Sequence, residues 1–101
     1  MMFLIAASAT LASAEPSGDR QQELLHLLAH DCGSCHGMTL QGGLGPALTA
    51  SALVNKPAPY LEFIVLAGRP GTPMPPWRGY LNEEDVRWLV GQLKAGSITR
   101  E

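Results

Sequence analysis

The chain has 101 residues, 7 of them Lys or Arg and 9 Asp or Glu, for a formal net charge of −2. That length allows one domain with a small core. The charge balance, with no basic cluster anywhere, excludes a nucleic-acid-binding surface built on phosphate neutralisation.

The first stretch, Met1 to Thr10, is a short apolar run, and Ala12-Ser13-Ala14 after it has the small-x-small pattern of a signal-peptidase site. No Lys or Arg precedes the run. The reading is a leader over residues 1–14, cleaved after about Ala14, followed by a domain over 15–101. Spanning a bilayer takes about 20 apolar residues, so this run is too short and stable membrane insertion is not expected.

Ser17 is the expected N-cap of a first helix, running from about Gly18 to Asp31. Leu24, Leu25, Leu27 and Leu28 give it an apolar stripe wide enough to face a core. His26 and His30 lie four apart on it and read as solvated surface residues before they read as ligands.

The helix runs into Cys32-Gly33-Ser34-Cys35-His36, the C-x-x-C-H spacing that attaches a c-type haem. Two thiols on one helical turn can each add to a haem vinyl group, forming two thioether bonds. The His directly after the second Cys is then held under the porphyrin with a ring nitrogen free for iron. The chain's only two cysteines are both in the motif. A thioredoxin-like dithiol would need a βαβ context that is not visible. A structural zinc site needs four ligands, and only His30 lies near enough in sequence to join Cys32, Cys35 and His36. A Cys32–Cys35 disulfide would close a very small loop and stabilise little.

Residues 37–48, Gly-Met-Thr-Leu-Gln-Gly-Gly-Leu-Gly-Pro-Ala-Leu, are too rich in glycine for a regular element. They read as a loop wrapped closely on something flat. A metal-bound His usually donates its other N–H to a carbonyl or carboxylate, and the Pro46 carbonyl is the candidate acceptor for His36. Leu44 and Leu48 are candidates to line the haem face, with ordinary core packing as the alternative for both.

Thr49 or Ser51 caps a short helical segment to Asn55, and Lys56-Pro57-Ala58-Pro59 interrupts the chain. Pro59 suits the first turn of a helix to Ala67, with Tyr60, Leu61, Ile64 and Val65 as its buried face and Gly68 as its stop. Residues 69–81, Arg-Pro-Gly-Thr-Pro-Met-Pro-Pro-Trp-Arg-Gly-Tyr-Leu, form a stiff second loop. Met74 sits between two prolines there, as a site that must present one sulfur requires. Met1 and Met2 belong to the leader, and Met38 is too close to His36 to reach the opposite face of a porphyrin. Met74 is therefore the expected sixth iron ligand, His/Met being an electron-transfer pairing. Trp77 either covers the haem or, with Arg78 and Tyr80, hydrogen-bonds its propionates. Lys56, Arg69 and Arg78 flank the loops and are candidates to steer a docking partner.

Asn82 caps the last helix, whose first turn holds Glu83, Glu84 and Asp85, where acidic groups suit the helix dipole. Val86, Leu89, Val90 and Leu93 form its buried stripe beside Trp88, Gly96 stops it, and residues 97–101 are expected to fray. No β-alternation appears anywhere in the chain. A c-type haem is attached outside the bacterial cytoplasmic membrane, so leader and motif together point to the periplasm.

Taken together, the motifs resemble the class I mono-haem c-type cytochromes. The match rests on Cys32 to His36, on Gly45-Pro46 with Leu48, on Gly68-Arg69-Pro70-Gly71 leading into Pro73-Met74-Pro75, and on the final amphipathic helix. The resemblance implies an all-α cytochrome c fold, about four helices around the haem, in which the first and last helices cross, with Leu24, Leu28, Trp88 and Leu89 at the crossing. It implies one haem c bound through Cys32 and Cys35, with His36 and Met74 as axial ligands. Within that group the chain is similar to the small periplasmic cytochromes encoded with cytochrome cd-type nitrite reductase. This implies a monomeric one-electron carrier, not an enzyme, whose partners are redox proteins, with nitrite reductase the candidate acceptor. An accessory role in maturation of the reductase's d-type haem and a gas-binding haem protein are the alternatives.

Overall fold

The computed structural model describes residues 15–99; the leader reading over 1–14 and the last two residues lie outside it. Among the described residues all regular structure is helical, and no helix is long and apolar enough to cross a membrane. Helix α1 (Gly18–Leu27) starts where the Ser17 Oγ accepts the Arg20 backbone N–H at 3.2 Å, which satisfies one of the donors a helix start leaves open.

The first helix does not end at Asp31. It widens into a π-helical segment, Leu28–Cys32, and continues as α2 (Gly33–His36) without leaving right-handed backbone. Gly37 ends it at φ +95°, a conformation that only glycine reaches without strain. A Cβ on Gly37 would also stand 2.5 Å from the Gly42 carbonyl oxygen. The two cysteines and the histidine are thus carried on the last turns of a long helical run.

Helix α3 (Ala50–Leu53) is capped by Thr49, and α4 (Ala58–Ala67) has Pro59 in its first turn and ends at Gly68, φ +71°. Helix α5 (Glu83–Ala95) opens on a reciprocal cap. The Asn82 side chain accepts the Asp85 N–H at 2.8 Å, and the Asp85 carboxylate accepts the Asn82 N–H at 3.1 Å. Gly96 closes it in the left-handed region.

The core is a cluster of buried aliphatic side chains. Helix α5 supplies Val86, Leu89, Val90 and Leu93; Leu24 comes from α1 and Leu28 from the π segment; Leu40, Leu53, Leu66 and Leu81 complete it. Trp88 packs half-buried against this cluster. Helix α5 lies against α4 and α3. It meets α1 through this shared core and through Arg20, whose Nη2 and Nε bond the Asp85 carboxylate at 2.8 and 3.3 Å.

Two expectations about packing are corrected. On α4, Leu61 and Val65 pack on the core and Leu66 is buried, but Tyr60 stands 49 % exposed. Tyr60 lies about 100° round the helix from Leu61, outside the inward stripe that Leu61 and Val65 define. The chain after α5 does not fray as far as Thr99. The Ser97 N–H donates to the Gln92 carbonyl, and Ile98 packs against the core.

Candidate haem site

Cys32 and Cys35 are free thiols, both half-buried, at either end of one helical turn. Burial pushes the Cys32 thiol up to about 11, with the Asp31 charge adding to the effect. Before any bond is made to it, that sulfur stays protonated and is a poor partner for disulfide formation.

His36 ends α2 with its Nδ1 2.7 Å from the Pro46 carbonyl oxygen. A carbonyl can only accept, so Nδ1 carries the proton and Nε2 keeps its lone pair. The loop that brings Pro46 there is laid directly on the C-x-x-C-H turn. The Gly42 N–H donates to the His36 carbonyl at 2.8 Å, and the Gly45 N–H to the Cys35 carbonyl at 2.7 Å. At Gly45 a Cβ would lie 2.9 Å from Nδ1 and Cε1 of the His36 ring; at Gly43 one would lie 2.9 Å from the Cys35 carbonyl oxygen. The glycines therefore allow a contact between backbone and imidazole that any side chain would block.

The second loop is pinned on both sides of Met74. The Arg69 N–H donates to the Met74 carbonyl at 3.1 Å, and the Met74 N–H donates to the Thr72 Oγ1 at 3.3 Å. That hydroxyl donates in turn to the Arg69 carbonyl at 2.6 Å. Beyond Met74, the Trp77 N–H reaches the Val65 carbonyl at 3.0 Å and the Arg78 N–H the Leu66 carbonyl at 3.3 Å, so the loop is sewn onto α4. Gly68 makes this possible, since a Cβ there would meet Pro76 N at 2.7 Å and the Met74 carbonyl oxygen at 2.9 Å. Met74 is half-buried, whereas Met38 is 70 % exposed.

Of the expected lining residues, Leu48 packs half-buried on the core and Leu44 stands 77 % exposed. Trp77 packs on the core and meets Tyr80 edge-on, ring centres 6.0 Å apart. Lys56, Arg69 and Arg78 are all exposed. Sequence reasoning did not single out Thr72 or the carbonyls of Val65 and Leu66; the Thr-Pro-Met order was the one local hint, because a threonine hydroxyl bonds readily to nearby backbone.

These residues fit a covalently attached haem. Two thiols lie at the required spacing, and one imidazole has its Nδ1 proton engaged and Nε2 available. Among the described residues no three His, Cys, Asp or Glu side chains gather to hold an ion by themselves. Residues 19–91 match the family model described as cytochrome C oxidase, cbb3-type, subunit III. The chain belongs to this family of c-type cytochromes. The cytochrome is 58 % identical to cytochrome c55X of Pseudomonas aeruginosa over 88 residues, covering 87 % of this chain and 74 % of that one. Its structure is similar to that of the c-type cytochrome NirC, with a TM-score of 0.81 and 58 % identity over 82 % of this chain and 98 % of the other. A more distant likeness is to dihydro-heme d1 dehydrogenase NirN in complex with DHE, with a TM-score of 0.63 and 32 % identity. That match covers 68 % of this chain but 15 % of the dehydrogenase. The cytochrome is accordingly an all-α electron carrier whose cofactor is haem c, bound covalently through Cys32 and Cys35.

Proposed function

We propose that this cytochrome is a periplasmic one-electron carrier with His36 and Met74 as axial ligands, serving denitrification as donor to a cytochrome cd-type nitrite reductase. Bound haem supplies an Fe(II)/Fe(III) couple. The rest is done by the chain's own residues. The Pro46 carbonyl holds the Nδ1 proton, which fixes the ring plane and makes Nε2 a better donor. Bonds from Arg69 and to Thr72 hold the Met74 backbone on both sides, and a ligand so held moves little when charge changes beside it. His36 and Met74 would hold the iron from the two sides, which would leave no coordination position for a substrate.

The observation that carries the reading is the 2.7 Å bond from His36 Nδ1 to Pro46. Export rests on the leader read over residues 1–14 and its small-x-small site before Glu15. The nitrite reductase assignment rests on the motif resemblance. Exposed Lys56, Arg69 and Arg78 suit an acidic face on the acceptor. Stopped-flow mixing of reduced cytochrome with oxidised cytochrome cd-type nitrite reductase tests it. Saturable oxidation that slows with added salt is expected, and no oxidation would overturn the donor role.

A second reading, assistance in maturing d-type haem, is favoured by the likeness to dihydro-heme d1 dehydrogenase. A strain lacking the gene separates the two. Reductase isolated with its full d-type haem supports the carrier reading; reductase isolated without it supports the maturation reading.

A further inference from the structure

The chain has three histidines. His36 is committed to the haem site, which leaves His26 and His30 as the other imidazoles, and neither enters the function derived above. Both are exposed, and their ring centres lie 4.3 Å apart with planes inclined at 44°. His26 is in the last turn of α1 and His30 in the π-helical segment. Four residues overshoot one α-helical turn by about 40°. The wider π turn, marked by the Gly33 N–H bonding back to the Leu28 carbonyl, takes that rotation back. The junction therefore sets the two side chains almost in line along the helix, closer to eclipsed than an α-helix would.

The spacing has a chemical meaning. A transition metal bound about 2.0 Å from a ring nitrogen lies about 3.1 Å from the ring centre. Two such rings at a right angle about the metal have centres about 4.4 Å apart, and at a tetrahedral angle about 5.1 Å apart, from the same bond length. The observed 4.3 Å is close to these spacings, so one ion can reach a nitrogen of each ring with little movement of the two exposed side chains. Square-planar or tetragonal nitrogen sites favour Cu(II) and Ni(II), and Cu(II) heads the affinity order for divalent first-row ions. Among the described residues no third His, Cys, Asp or Glu joins the pair. Glu23, one turn before His26, is turned to Arg20 at 2.8 Å. Water would fill the remaining positions.

We propose that His26 and His30 form a two-imidazole surface site for a divalent transition metal ion, with Cu(II) bound most tightly. The site is distinct from the haem iron and lies on the helical run that presents Cys32. Bridging the last turn of α1 to the π segment ties two successive turns of that run, so metal binding adds to the stability of the folded cytochrome.

The test uses the holoprotein, in which both cysteine sulfurs are occupied by thioether bonds and His36 is engaged. Titration with CuCl2 in a non-chelating buffer is followed by calorimetry and by electron paramagnetic resonance of the copper. One Cu(II) per chain, a tetragonal signal with nitrogen couplings and a raised Tm are expected, with Zn(II) binding more weakly. His26→Gln and His30→Gln should each lose the calorimetric signal at the same concentrations while keeping the haem spectrum unchanged, since neither side chain is buried. No copper binding by the wild type, or binding kept in the double variant, would overturn the site. Tighter binding of Zn(II) than of Cu(II) would overturn the preference for Cu(II).

Discussion

Replacing Asp85 by Ala removes the one buried charge of the described residues and the polar tie that joins the first and last helices beside their shared core. The carboxylate is 3 % exposed, and it accepts from Arg20 Nη2 at 2.8 Å, from Arg20 Nε at 3.3 Å and from the Asn82 N–H at 3.1 Å. A forked, charge-assisted bond of this kind contributes about 1.5–3 kcal/mol. Losing the acidic half of the reciprocal cap adds about 1 kcal/mol. The Arg20 side chain is 34 % exposed and can turn to water or keep Glu23, so the larger penalty of stranding a buried charge does not apply. The expected loss is about 3 kcal/mol, or roughly 15 °C in Tm for a domain of this size. Guanidinium unfolding of the holoprotein, followed by circular dichroism, measures it. The pH dependence gives a second check. Chiefly through its bonds from Arg20, the Asp85 carboxyl titrates below the usual carboxylate range. Its contribution is then fully present above the unfolded value of about 4 and fades as pH falls through the native value. Asp85→Ala should flatten that part of the acid limb. A loss below about 1 kcal/mol, the size of an ordinary surface pair, with an unchanged acid limb, would refute the reasoning.

Gly45→Ala places a methyl 2.9 Å from the His36 ring, so overpacking should cost about 1–3 kcal/mol and lower the yield of haem-bearing protein. The ratio of haem absorbance to total protein checks this, and a wild-type ratio counts against the backbone–imidazole contact. Gly68→Ala combines φ +71° with a 2.7 Å contact to Pro76 and should cost about 2 kcal/mol or more. Since the same loop carries Met74, the variant should also bind exogenous imidazole at iron more readily; wild-type imidazole affinity would contradict the link.

Much of the site was legible because its signals are local. C-x-x-C-H is a contiguous motif, and Gly45-Pro46 could be matched to His36 because a metal-bound imidazole needs an acceptor within reach. The caps at Ser17 and Asn82 and the stops at Gly68 and Gly96 are one-residue decisions of backbone chemistry and occur where they were expected, and of the two candidates Thr49 and Ser51 it is Thr49 that caps α3. What escaped depends on the folded whole. The π-helical segment Leu28–Cys32 shifts hydrogen bonds by one residue and leaves no periodicity to read. The Arg20–Asp85 bridge spans 65 positions, and nothing local to either residue announces the other. Leu40 is buried from a left-handed backbone, φ +60°, a conformation that leucine accepts only when packing holds it. Helix α4 is apolar nearly all round, so pattern alone could not tell the inward Leu66 from the exposed Tyr60 and Phe63.

The central claim is that imidazole from His36 and sulfur from Met74 close both faces of the haem iron. Adding carbon monoxide to the reduced holoprotein, with its visible spectrum recorded before and after, tests this most directly. The account predicts a six-coordinate low-spin spectrum that carbon monoxide leaves unchanged, and a Met74→Ala variant that binds the gas at once. A wild-type protein that takes up carbon monoxide as readily as the variant would contradict it.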